Sequence, residues 1–291
     1  MNAAIDRYFK ITERRSTIGT EVRAGVVSFF AMAYIILLNP LILGTSEDSA
    51  GTTLGIPQVA AATALVAGVM TIAFGVIARY PFAMAAGLGM NTFVAVTMVS
   101  LNGLEWREAM GLVVIEGIII VLLAISGFRQ AVFDAIPASM KAAMGVGIGM
   151  FIALIGFVDG HFVTRVPDAA NTTVPVGLGI NGSISTWPAF VFIVGLILSS
   201  FFVIRQVRGG LFIGIVLTTI IAMIIQAFTG SEEWGMATPE VPDSLGGIPD
   251  LSIVGQVDPI SAFTKLGVVS TVLLIFTLLL TNFFDAMGTM N

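Results

Sequence analysis

Ala86-Gly87-Leu88-Gly89-Met90-Asn91 interrupts an apolar stretch that opens at Pro81 and runs to Ser100. Two glycines within three positions disfavour a continuous helix, whereas the run from Met90 to Val99 suits one. The spacing predicts a segment that enters the membrane without regular structure and turns helical near residue 90. Irregular backbone at membrane depth is tolerated only where it lines a cavity or is buried in protein, and transporters use such breaks to present the amino end of a half-helix to substrate. The same residues also allow a plainer structure, an ordinary span with a glycine kink.

The rest of the chain supplies the membrane context. Hydrophobic residues make up 56% of the 291 and charged residues 11%, more apolar surface than a soluble core needs. Apolar runs near the roughly 20 residues that cross about 30 Å of hydrocarbon recur from end to end. Segments are expected at 23–43, 58–78, 82–100, 109–126, 139–158, 189–204, 211–228 and from 267 to the end. The fold class is an all-α polytopic membrane protein of about eight transmembrane segments. Residues 1–22 carry Arg7, Lys10, Arg14 and Arg15 and no signal-peptide cleavage pattern, and read as a cytoplasmic tail. With that tail inside, Arg23, Arg79, Arg129, Lys141, Arg205 and Arg208 join it, leaving Arg107, Arg165 and Lys265 outside. Of the 13 basic residues, ten are thus inside and three outside, as the positive-inside rule requires of an inner-membrane or plasma-membrane protein. Two long outside loops, 159–188 and 229–266, are expected to be irregular caps with short strands or an interfacial helix near 259–265.

Two acids fall within the confident spans, Glu116 and Asp285. An intramembrane carboxylate costs roughly 2.5 to 3.5 kcal/mol even on lenient insertion scales, which makes each a candidate functional group. Glu116 has only apolar neighbours in sequence; a protonated carboxyl bonded to a neighbouring helix is the alternative for it. Asp285 shares a helical face with Asn282 and Thr289 at i, i+3 and i+7. Counted from Gly267 along a straight helix it lies roughly 27 Å in. Asn91 falls in the first turn of the half-helix, either to cap it or to offer donor and acceptor to a planar polar ligand. There is no cysteine, and the lone His161 lies in a loop, so redox, metal and thiol chemistry have no residues to work with and no cofactor is expected. Gly145, Gly147 and Gly149 lie in an apolar run and read as helix packing, not a phosphate loop.

Thr20-Glu21-Val22-Arg23-Ala24-Gly25, Ala31-Met32-Ala33-Tyr34-Ile35 and Asn39-Pro40 resemble the first helix of AzgA-like purine permeases, a branch of the nucleobase/ascorbate transporter superfamily. Ala86 to Asn91 resembles the family's broken third helix. Ile136-Pro137 through Lys141 with Gly147-Ile148-Gly149 resembles the fifth, and Phe284-Asp285 with Gly288-Thr289 the eighth. Ala86 departs from a usual proline, and Asn282 from a frequent second acid. The resemblance implies two inverted seven-helix repeats, with residues 23–228 forming the first, 229–266 an extracytoplasmic loop, and 267–291 the eighth segment, which starts a second repeat truncated before its tenth segment.

What the resemblance implies is import of adenine, guanine or hypoxanthine by proton symport, with Asn91 and Asp285 on substrate-binding positions and Gly89 and Thr289 in the same motifs. Phe93 and Tyr34, with Phe30, are the candidates for a stacking face against the purine. Expected partners are a purine nucleobase, a proton and the lipid bilayer, with a homodimer as candidate assembly and no nucleic acid. A uracil/xanthine permease or an anion transporter of the same architecture is the alternative, as is an inactive truncated fragment. No basic residue lies between Phe82 and Ser100 to favour an anion. An intramembrane aspartyl protease needs two convergent aspartates, and one lies within a span.

Overall fold

The computed structural model describes residues 3–80, 82–165, 176–207, 209–234, 238–239 and 248–289. Pro81 lies outside them. The structure is helical, and among the described residues seven helices are long and apolar enough to cross a membrane: Ile18–Leu43, Ile56–Ala78, Trp106–Ile125, Ala138–Val158, Trp187–Ile204, Gly210–Thr229 and Val268–Ala286. A shorter apolar helix, Leu88–Leu101, accounts for the third expected segment, 82–100. Large side chains stand out on these helices, with Leu37 73%, Ile125 79% and Ile204 79% exposed. In water such a surface would drive aggregation; against lipid tails it costs nothing.

The chain divides into two compact units, residues 1–146 with 248–291, and residues 147–247. The first begins with α1 (Ala3–Phe9), which packs its end onto the second span: Tyr8 Oη donates to Val76 O at 2.8 Å, and the Arg79 guanidinium stands 4.5 Å over the Tyr8 ring. The first span is broken where the sequence suggested one helix, into α2 (Ile18–Met32) and α3 (Ile35–Leu43). The interruption is a tightened turn at Ala33-Tyr34, where Ile36 N–H donates to Ala33 O at 3.1 Å and Leu37 N–H to Tyr34 O at 3.0 Å; Pro40, which has no N–H to give, frees the Ile36 carbonyl further along, inside α3. The second span is α4 (Ile56–Ala73), closed by a π-helical turn Phe74–Ala78.

Residues 82–87 form no helix; α5 (Leu88–Thr92) follows and continues as a π-helical stretch, Phe93–Leu101. The interruption expected from Gly87 and Gly89 is therefore present, and Gly87 is the N-cap residue. Within the irregular approach Met84 is bonded to α4, its N–H donating to Thr71 Oγ1 at 2.9 Å. Val94, Ala95, Met98 and Val99 of the π-helical stretch are buried with Leu104, Trp106, Ala109 and Leu112 of α6 (Trp106–Ile125) and with Ala262, Ile275 and Leu278. α7 (Phe128–Ala135) and the first part of α8 (Ala138–Asp159) complete this stretch. The interfacial helix is seen as α11 (Ser261–Leu266), which leads into α12 (Val268–Thr289).

One end of this unit is held by polar contacts. Trp106 N–H donates to Asp48 Oδ2 at 3.1 Å, and Lys265 Nζ pairs with Glu108 at 3.1 Å. Burial opposes ionisation of Asp48, but hydrogen bonds from Thr52, Trp106 and Ala50 outweigh it and hold its carboxyl below the usual carboxylate range.

In the second unit, α9 (Trp187–Ile204) and α10 (Gly210–Thr229) pack closely. A Cβ on Gly195 would stand 2.7 Å from Thr218 Cγ2, and one on Gly214 2.5 Å from Ser199 Oγ, so small residues set this approach. Among the described residues a Cβ at Gly147 or Gly149 would meet nothing within 4 Å. The loop between α8 and α9 carries β1 (Val163–Arg165) and β2 (Val176–Leu178), paired antiparallel.

Candidate functional site

The half-helix is the centre of the site. α5 packs against both α3 and α12, and its first N–H groups have no intrahelical partner because helix begins only at Leu88. Asn91 closes the first turn, its N–H donating to Gly87 O at 3.2 Å. Its side chain does not cap the helix. Asn91 Nδ2 donates to Asn39 Oδ1 of α3, and Asn39 Nδ2 donates to Thr63 Oγ1 of α4 at 2.9 Å. All three side chains are buried, so a chain of amide and hydroxyl groups links three segments inside the apolar interior. Such a buried network is stable only while each member keeps its partner.

This network borders a cleft of about 530 Å³, lined by Asn39, Thr63 and Asn91 among apolar residues that include Ala62, Val66, Met70, Met84, Ala86, Met90 and Val113. An apolar cavity with a few convergent polar groups is the usual form of a small-molecule site. From α12, the Asp285 carboxylate reaches the amino end of α5 and lies against Gly87, where a Cβ would collide with its Oδ2. The absence of a side chain at Gly87 is what admits the carboxylate. A negative group at the amino end of a helix is also favoured by the unpaired N–H groups there.

Three of the residues singled out in the sequence lie around the half-helix, Gly89 and Asn91 on it and Asp285 at its amino end; of the three, Asn91 lines the cleft and Gly89 and Asp285 do not. Phe93 lies just beyond, half-buried against the apolar core and outside the cleft lining. Tyr34 sits at the break between α2 and α3, 46% exposed, and does not line the cleft either. Thr289 is the last residue of α12, and its side chain lies outside the described residues.

Asn39, Thr63 and Thr71 were missed as site residues. The signal for Asn39 was an amide in an otherwise apolar run before Pro40; the threonines look like any residue of a polar-tolerant helix. Glu116 also finds a partner that its own neighbourhood did not announce. It is 2% exposed, and Asn282 Nδ2 donates to its Oε1 at 2.9 Å across 166 residues of sequence.

With this geometry in view, the comparison with known proteins is direct. The chain is 33% identical over 290 residues to a guanine/hypoxanthine permease of Bacillus subtilis, covering 97% of this chain and 61% of that one. A second guanine/hypoxanthine permease of the same organism is 31% identical over 289 residues, covering 97% and 60%. An adenine permease of Escherichia coli is 28% identical over 290 residues, covering 99% and 59%. The chain spans about three-fifths of the length of these curated relatives. Residues 19–291 match the Permease family of xanthine/uracil type, and a match of that extent over seven apolar helices and a broken third segment makes this chain a member of that family of membrane permeases.

Proposed function

We propose that the protein imports purine nucleobases, adenine, guanine or hypoxanthine, by proton symport, with its amino terminus in the cytoplasm. The names of its relatives support the substrate class. The observation that carries the reading is the placement of the Asp285 carboxylate against the amino end of the half-helix that bears Asn91. An uncharged purine presents ring N–H donors next to ring acceptors; a carboxylate accepts from the first and an amide serves both. In the same reading residues 23–228 are the first repeat of an inverted pair, and α12 opens the second. A half-helix at the interface of such repeats is where substrate binds while one bundle rocks against the other.

The test is uptake of radiolabelled adenine, guanine and hypoxanthine by the full-length protein in cells lacking their own permeases, with membrane abundance matched. Asp285→Asn keeps size and one acceptor but removes the charge and presents N–H donors to the purine N–H groups. Each unpaired donor costs roughly 1 to 3 kcal/mol, so affinity falls by an order of magnitude or more. Undiminished saturable uptake by Asp285→Asn would remove Asp285 from the site. No uptake of any purine by the wild type above the empty host would remove the function.

A further inference from the structure

The structure holds a second intramembrane carboxyl, Glu116, outside the purine site proposed above. Glu116 is the eleventh residue of α6, which spans Trp106–Ile125, so it lies about 15 Å along a helix of about 30 Å, at mid-span. It is 2% exposed, and its hydrogen-bond partner is the amide of Asn282. Among the described residues no basic side chain pairs with it, the salt bridges there being Lys10–Glu13 and Lys265–Glu108. The elements packed most on α6 are α7, α11, α12 and the π-helical stretch, and the loop at Asp258 and Pro259 abuts it at Gly111, with the Asp258 carboxyl bonded by Ser261. That stretch has no titratable residue. Lys265 of α11 is committed to Glu108, two turns away toward the amino end of α6. Arg129 and Asp134 belong to α7, beyond the carboxyl end of α6. From α12, Asn282 faces Glu116, and Asp285 follows three residues later.

An ionised carboxylate cannot rest in such a place with one amide for company; a carboxylic acid can. We propose that Glu116 is the group that binds the transported proton and couples it to the position of α12. With the proton on Glu116 the buried arrangement described above is satisfied. When the O–H bond breaks and the proton leaves to water, the oxygen keeps the electron pair and the site carries a bare negative charge. That charge requires water, and water reaches it only if α6 and α12 separate along the face that bears Asn282. Asp285 is on the same helix, one turn on, and moves with it. The proton on Glu116 is thereby linked through α12 to the carboxylate at the half-helix, and linkage of this kind is reciprocal.

The proposal rests on the reading of the protein as a proton-coupled purine permease, and the test separates the two. In proteoliposomes with the full-length protein, Glu116→Gln keeps an acceptor for Asn282 and mimics the protonated state, but cannot titrate. Purine exchange down no gradient is expected to persist, while proton-driven accumulation collapses to equilibrium and proton uptake on adding purine falls at least about tenfold. Accumulation and proton uptake by Glu116→Gln at wild-type levels would overturn the proposal, as would loss of exchange along with accumulation, which would make Glu116 part of purine binding. If Glu116→Gln does not fold, Glu116→Asp decides: it retains a titrating group on a shorter stem, so coupling persists with a displaced pH midpoint. An unmoved midpoint overturns the proposal. Absence of purine-dependent proton uptake in the wild type itself would instead overturn the symport reading.

Discussion

Gly87→Ala isolates the approach of Asp285 from everything else in the site. Gly87 has φ −71° and ψ 126°, backbone that any L-residue adopts, so alanine adds no dihedral strain there. Its Cβ meets the Asp285 carboxylate. The obstruction is the free end of a side chain, and the carboxylate can swing aside for about 0.5–1.5 kcal/mol of off-rotamer strain. Folding tolerates that cost; recognition does not. A hydrogen bond to a charged group contributes about 1.5–3 kcal/mol, so displacing the acceptor from a bound purine lowers affinity by about tenfold to a hundredfold. The assay is equilibrium binding of radiolabelled hypoxanthine to purified full-length protein, with thermal unfolding run beside it. Gly117→Ala is the control: it lies next to Glu116 on α6, and a Cβ there meets nothing within 4 Å. The expected pattern is weak binding and near-wild-type unfolding for Gly87→Ala, and neither effect for Gly117→Ala. Gly87→Ala binding within about twofold of wild type would refute the reasoning, because a carboxylate that can be pushed aside without loss is not holding substrate.

Other outcomes follow from the same contacts. Asn39→Ala strips the shared partner from Asn91 and Thr63, leaving buried polar groups that cost about 1–3 kcal/mol, so thermal unfolding in detergent should fall clearly below that of the exposed-site variant Gln130→Ala; equal midpoints would mean that the network contributes nothing. The depressed carboxyl of Asp48 contributes stability that is present above the ordinary value of 3.8 and lost as pH falls through its lower folded value. The acid-induced drop in unfolding temperature should accordingly be smaller in Asp48→Asn than in wild type, and an identical pH profile would count against that contribution. The chain has no cysteine, so Ser252→Cys gives a single thiol in the loop before α11; an impermeant reagent added outside should label it, and labelling only after the membrane is broken would invert the topology.

The spans were legible because length and apolarity are local properties, and the break at Gly87 and Gly89 was legible because backbone freedom is local too. What escaped the sequence was whatever depends on a partner far along the chain. Asn91 reads equally as a cap or as a ligand-facing amide until Asn39, 52 residues earlier, is brought to it with Thr63 bonded behind. The tightened turn in the first span hides in Ala33-Tyr34, neither of which breaks helices, and nothing in the local sequence marks it. Thr71 shows nothing in sequence, yet it supplies a bond that the irregular residues before α5 need at membrane depth. Tyr34 and Phe93 are flat rings on the expected segments, but which side chains border a cavity is decided by tertiary packing, and neither lines the cleft.

In the proposed mechanism, the arrangement of α12 lets a single helix serve both purine binding and proton binding. Asn282 and Asp285 are three residues apart, on neighbouring positions of one face, yet they engage different elements: Asn282 the Glu116 carboxyl of α6, and Asp285 the amino end of α5. A helix that presents two polar groups one turn apart cannot alter one contact while leaving the other fixed, since a rotation or shift moves both by similar amounts. Packed interiors resist small continuous shifts and settle into discrete arrangements. On the α5 side the fit is set by a glycine, where even a methyl group interferes, and on the α6 side by one amide with one carboxyl. Each contact is therefore sensitive to displacements of an ångström or so, and a substitution that enlarges Gly87 or removes the proton from Glu116 biases the same helix from opposite ends of one polar face.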